Sequence, residues 1–289
     1  MRYVALLCLG ILAACASAPT GTGSGLSARS SSSPMRYLAW LEGSYSTSYR
    51  ADRRMVLERL ESLKAVSETD TDSYLEYLSL LDAAGRTNEA GSKIKAFLQK
   101  NPRETRAAFL LGVFYMRRNR KELAKYFFEK LEKDSRFAWK SMLLNNLGMM
   151  ALKEGERFRA IDYFEKAAEA EPPIAAPLVN LGALYLESAS YADAERAFVR
   201  ALDRDKGFED AVLGRGSALE ALGQFESARS VYEDFLSQRP NAVSVLYNNG
   251  ILLGNRLNQP KLAADMLLRY VQAGGNQTAK AQELIQKWR

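Results

Sequence analysis

The chain contains no histidine, and its two cysteines, Cys8 and Cys15, both lie in the first 15 of 289 residues. Without imidazole, the usual general base and the commonest metal ligand are missing. Without a thiol beyond residue 15, a cysteine nucleophile and a disulfide framework are excluded for the rest of the chain. The dipeptide Gly-Lys does not occur, so there is no Walker-type phosphate loop. Long apolar runs are also scarce. Val4–Ala14 is mostly apolar, but 11 residues of helix cover about 16 Å, short of the roughly 20 residues that cross a bilayer core. Neither charge sign dominates: 40 basic and 34 acidic residues give a net +6, too mild to imply a nucleic-acid partner. No motif calls for a cofactor or a small-molecule substrate. Carboxylates are plentiful, so composition leaves open a two-carboxylate hydrolase using pairs such as Glu154 with Glu156 or Glu169 with Glu171.

What is present begins with a leader. Arg2 followed by the apolar run reads as a secretory signal. Leu12, Ala13, Ala14 and Cys15 resemble the lipobox of bacterial lipoproteins, which implies removal of residues 1–14 and acylation of Cys15. An ordinary signal peptide cut near Ala14 or Ala18 is the other reading. Residues 16–34, ASAPTGTGSGLSARSSSSP, cannot bury enough apolar surface to offset chain entropy and read as a tether reaching about 25 Å. Residues 15–34 are thus expected to link a folded body to a membrane. Ala16 is not the aspartate that marks inner-membrane retention in enterobacterial lipoproteins. The resemblance therefore implies a lipid anchor in the outer membrane, with the protein facing the periplasm.

The body repeats itself. LLGVFYMRRNRKELAKYFFEKL from residue 110, NLGMMALKEGERFRAIDYFEKA from residue 146 and NLGALYLESASYADAERAFVRA from residue 180 align without adjustment. Alanines at 90, 124, 160, 194, 228 and 263 step by 34 to 36 residues, and glycines at 112, 148, 182, 216 and 250 keep the same period. A unit of this size is one supersecondary element that must stack on its neighbours to bury its apolar faces. The pattern resembles the tetratricopeptide repeat, a pair of antiparallel helices. That implies an all-α fold, a right-handed superhelical α-solenoid of about six units: 71–104, 105–140, 141–174, 175–208, 209–242 and 243–277. The first unit has Leu78 in place of the glycine, and the last carries an extra residue near Asn258 and Pro260. Residues 35–70 form an N-terminal flank whose Val56, Leu60 and Leu63 share one helical face. Residues 278–289 place Ala281, Leu284, Ile285 and Trp288 on another; both read as capping helices. Tyr37, Leu38, Trp40, Leu41, Tyr45 and Tyr49 offer material to pack on the first unit.

In this family the first helix of each unit lines a concave surface. Carried over by unit position, that surface takes Phe109, Val113, Met116, Met142, Met149, Leu152, Val179, Ala183, Leu186, Leu213, Tyr247 and Ile251. An apolar groove rich in methionine suits an adaptable peptide-binding surface, unless these side chains pack on the next unit instead. Asn146, Asn180 and Asn248 share unit position 6, with Gly214 in the remaining slot. Repeated amides can pair with the backbone of an extended peptide, or they can bond locally. The lysines that clamp a terminal carboxylate in the family's chaperone-tail binders are absent, since Ala176, Asp210 and Gly214 stand there.

Residues 93–140 hold 14 basic and 5 acidic residues, with Arg117, Arg118, Arg120 and Lys121 clustered at one turn. Such an edge fits acidic headgroups, an anionic envelope polymer, an acidic partner or simple solvation. A lipobox ahead of six repeats looks like the pilotin lipoproteins of type IV pilus systems and the lipoproteins of motility machines. That implies a non-catalytic scaffold holding a segment of an envelope protein such as a secretin or motility-complex subunit. An adaptor for peptidoglycan enzymes or a polymer binder shares the same plan.

Overall fold

The structure, a computed structural model, describes residues 53–289 apart from residue 172. Among the described residues there are fourteen α-helices and no strand. The first is α1 (Arg53–Ser62). Six hairpins follow: α2 (Thr71–Ala83) with α3 (Thr87–Lys100), α4 (Thr105–Arg117) with α5 (Lys121–Glu132), α6 (Lys140–Lys153) with α7 (Arg157–Glu169), α8 (Ala176–Glu187) with α9 (Tyr191–Arg204), α10 (Glu209–Ala221) with α11 (Phe225–Gln238), and α12 (Val243–Asn255) with α13 (Pro260–Gln272). The chain ends in α14 (Thr278–Trp288). The fold is an all-α solenoid of repeated hairpins. Its helices group into two compact units that divide between Pro177 and Leu178, each with its own core. The aromatic residues between Tyr37 and Tyr49 and the lipobox-like segment lie outside the described residues.

The five hairpins from α4 onward close on one device. A ring or branched side chain from the second helix sits on the glycine of the first: Phe128 on Gly112, Phe164 on Gly148, Phe198 on Gly182 and Tyr232 on Gly216. A Cβ on Gly148 would stand 2.6 Å from the Phe164 ring, so only glycine admits that approach. In the last hairpin the partner is Leu267 against Gly250. These partner side chains are buried, each worth roughly 1.5–3 kcal/mol in apolar burial. The alanines at 90, 124, 160, 194, 228 and 263 are fully buried one turn earlier on the second helices. The spacing repeats as Ala124, Phe128, Leu131 and as Ala160, Phe164, Ala167. Val56 and Leu60 of α1 and Leu63 just past its end reproduce it, so this segment has the burial pattern of a second helix.

The turn inside each hairpin is equally regular. A residue with positive φ ends the first helix: Gly85, Asn119, Gly155, Ala189, Gly223 and Asn258. The N–H of the residue that follows it reaches back across the turn, as in Arg120 to the Tyr115 carbonyl (2.9 Å) and Ser190 to the Tyr185 carbonyl (2.9 Å), which satisfies carbonyls the helix end would orphan. In the last hairpin the extra residue widens the turn, so that Gln259 donates to the Leu253 carbonyl (2.9 Å), and Pro260 then starts α13 at a position where no N–H is needed.

Candidate peptide-binding surface

In the unit ending at Pro177, the first helices are α2, α4 and α6. Glu76 of α2 is nearly buried and accepts two hydrogen bonds from Arg59 of α1, at 2.7 and 2.8 Å. Its position equals that of Asn146 two units on, so α1 covers that site in the first hairpin. Phe109 and Val113 of α4, expected on an open groove, belong to the core instead. The connector ahead of α6 supplies Phe137 and Trp139, whose rings lie 5.6 and 5.9 Å from Phe109. Asn146 is also a correction. It has no exposure, and neither atom of its amide has a hydrogen-bond partner, so it does not present an amide to a passing backbone. Met142 is buried too. Met116, Met149 and Leu152 remain partly exposed.

In the unit from Leu178 onward, the first helices α8, α10 and α12 keep a half-buried apolar row: Val179, Ala183, Leu213, Tyr247 and Ile251. Leu186, expected with them, is buried. Tyr247 rests against Tyr270 of α13 with ring centroids 5.1 Å apart. Asn180 is half-buried and already hydrogen-bonded or in contact. Asn248 donates from Nδ2 to the Ser244 carbonyl at 3.0 Å, one turn back in its own helix. Gly214 occupies the remaining amide slot because the Phe198 ring lies against it; an added Cβ would stand 2.3 Å from that ring. The amides are therefore not a free row, and the apolar side chains carry the surface.

Two carboxylates flank that row. Burial pushes Glu220 up to about 7, although the Tyr232 hydroxyl donates to it at 3.3 Å and Arg256 is near. Burial likewise raises Glu209 above the ordinary carboxylate value, partly offset by a hydrogen bond with Ser244. Among the described residues no group of histidine, cysteine, aspartate or glutamate is arranged to hold a metal ion.

Models of the tetratricopeptide repeat match residues 79–138, 179–243 and 213–278, and a second model of the same repeat matches 143–173. The chain belongs to the tetratricopeptide-repeat family. No curated protein matches it by sequence. Among solved structures, that of PilF from Pseudomonas aeruginosa superposes with a TM-score of 0.60 at 20% identity, over 75% of this chain and 96% of that one. YrrB, described as a TPR protein with an unusual peptide-binding site, gives 0.50 at 20% identity over 66% and 97%. The Cut9–Hcn1 hetero-tetramer of the APC/C gives 0.60 at 14% identity over 88% of this chain. The chain spans 48% of that relative, about half its length. These likenesses establish the tetratricopeptide fold and nothing narrower.

As a tetratricopeptide-repeat protein, the chain departs from a uniform repeat at its basic turn. Arg117 pairs with Asp82, and Arg118 reaches Asn88 and lies 5.3 Å from the Phe114 ring, so both are tied to the preceding hairpin. Arg120 and Lys121 are exposed. The hydrolase candidates Glu154, Glu156, Glu169 and Glu171 are also exposed, and Glu156 pairs with Arg159 at 2.8 Å. Sequence reasoning missed the Arg59–Glu76 pair and the half-buried Glu209 and Glu220. The one available signal was charge at repeat positions that hold neutral residues in most neighbouring units.

Proposed function

We propose that the protein is a non-catalytic scaffold, anchored to the outer membrane through acylated Cys15 and facing the periplasm. It holds an extended segment of another envelope protein against the first helices of its repeats, and so assembles or stabilises a pilus, secretin or motility machine. The observation that carries this reading is the half-exposed row of Val179, Ala183, Leu213, Tyr247 and Ile251, apolar surface that the hairpins leave uncovered. Repeat membership supports a role in protein–protein interaction, and the lipobox resemblance of Leu12–Cys15 supports the anchor. The PilF likeness extends over most of both chains and supports the shared repeat scaffold.

One experiment tests both halves. Crosslinking and mass spectrometry in the native envelope compare the natural chain with Leu213→Ser plus Ile251→Ser, and with Cys15→Ser. The double serine variant is expected to lose its main crosslinked partner while keeping its helicity. The Cys15→Ser chain, if trimmed to mature size, is expected to leave membranes after a high-salt wash. An unchanged partner list overturns the groove, and a mature-sized Cys15→Ser chain that resists the wash overturns the anchor.

A further inference from the structure

The second helices of the first compact unit open, one after another, with cations. Arg86 precedes α3, Arg120 and Lys121 open α5, and Arg157 opens α7. A cation at this end faces the positive pole of the helix and works against it. In the other unit the same places hold Ser190 and Tyr191, then Gln224 and Phe225. The unfavourable placement is therefore not a requirement of the hairpin.

Apolar side chains stand beside these cations. Phe158, between Arg157 and Arg159, is 90% exposed, and Tyr126 and Leu123 of α5 are 58% and 45% exposed. The equivalent of Phe158 in the neighbouring hairpins is Glu122 or Ala192, so an aromatic ring there serves no packing role common to the repeats. Helices α5 and α7 are neighbours at this edge: Lys125 and Glu129 of one and Arg159 and Tyr163 of the other line a single shallow recess. Acids are also present at this edge, namely Glu122, Glu129, Glu154 and Glu156, but Arg159 engages Glu156 and Lys125 lies 3.9 Å from Glu129.

We propose that this edge, carrying Phe158, Leu123, Tyr126, Arg120 and Lys121, docks on an anionic lipid bilayer. Cations meet acidic headgroups while an exposed ring enters the interfacial layer, and the two contributions reinforce each other. A soluble polyanion would use the cations and gain nothing from the ring. The inference does not rest on the acyl anchor: the anchor needs Cys15, whereas docking needs only this edge.

The test uses the full chain carrying Cys15→Ser, made without lipid modification, so that failure of the anchor and failure of the edge are separate results. Vesicles contain phosphatidylcholine alone or phosphatidylcholine with phosphatidylglycerol, and co-sedimentation reads binding. The leader run is common to all variants and to both vesicle types. Phe158→Ser is expected to lower the partition onto anionic vesicles roughly ten-fold. Arg120→Glu with Lys121→Glu is expected to lower it by more than about ten-fold, without loss of helicity, since acids suit a helix start. Phe158→Trp should retain binding and add a fluorescence component that brominated phospholipid quenches, in anionic vesicles alone. The proposal is overturned if Phe158→Ser binds as the parent does, because the edge is then a general polyanion surface; polyphosphate would in that case compete equally for parent and variant. It is also overturned if bromine fails to quench Trp at position 158.

Discussion

Gly148 and Phe164 offer the most direct test of how a hairpin closes. Alanine at 148 would place its Cβ 2.6 and 2.7 Å from two ring carbons of Phe164, and that ring is fully buried, so it has little room to retreat. Overpacking of this kind costs about 1–3 kcal/mol. Replacing glycine inside a helix returns roughly 0.8–1.0 kcal/mol in propensity. The net expectation for Gly148→Ala is a loss of about 0–2 kcal/mol. Phe164→Leu alone leaves unfilled space and should cost about 1–2 kcal/mol. Together the new methyl occupies part of what the smaller side chain vacates, so the pair should cost about 1 kcal/mol less than the sum of the singles. Equilibrium urea unfolding followed by circular dichroism, on all four chains of the cycle, reads the coupling. Additivity within about 0.5 kcal/mol would mean that the ring does not depend on the missing side chain, and the packing argument would fail.

Ala189 holds a φ of 59° at a turn where neighbouring hairpins use glycine or asparagine. The strain of an L-residue there is about 1–2 kcal/mol and the added freedom of unfolded glycine takes back about 0.4–1, so Ala189→Gly should stabilise by roughly 0.5–1 kcal/mol and raise Tm by a few degrees; a lower Tm would refute this. Glu220, held near 7 in the folded chain against an ordinary value of 4.5, binds its proton more tightly when folded. Its stabilising contribution is full below pH 4.5 and is lost as pH rises through about 7, a change of roughly 3 kcal/mol at most. Glu220→Gln should therefore flatten the fall in urea midpoint between about pH 5 and pH 8, and an identical slope in both chains would contradict the burial argument.

The repeat was legible because its markers are steric. Glycine and alanine sit at 34- to 36-residue steps where helices meet, and no other residue type serves equally well at Gly148 or Ala160. The surface was less legible for a related reason. Phe109 and Met149 occupy groove-facing positions in their repeats, yet one is buried and the other half-exposed. What separates them is the connector carrying Phe137 and Trp139, which lies outside the periodic pattern and packs on Phe109. Asn146 and Asn248 likewise share one repeat position but differ in burial and in bonding. The Arg59–Glu76 pair spans 17 residues between a flank and a repeat, beyond the reach of any local spacing rule. The raised value of Glu220 comes from desolvation in the packed repeats, against the opposing pull of Tyr232 and Arg256 from later in the chain.

Asn249, buried in α12 with no partner for its amide, is followed directly by Gly250. An asparagine–glycine step is chemically short-lived when flexible, because the glycine nitrogen attacks the side-chain carbonyl, ammonia leaves, and the resulting ring opens to aspartate or isoaspartate. Within α12 that nitrogen is held in the helical hydrogen-bond ladder and the backbone is fixed away from the geometry of attack. The helix thus protects the step only while it stays closed. Each opening of the last hairpin exposes the same bond to ageing, and the product buries a new carboxylate against the core, so damage gained by opening also favours further opening. The final repeat carries its own record of how often it has come apart.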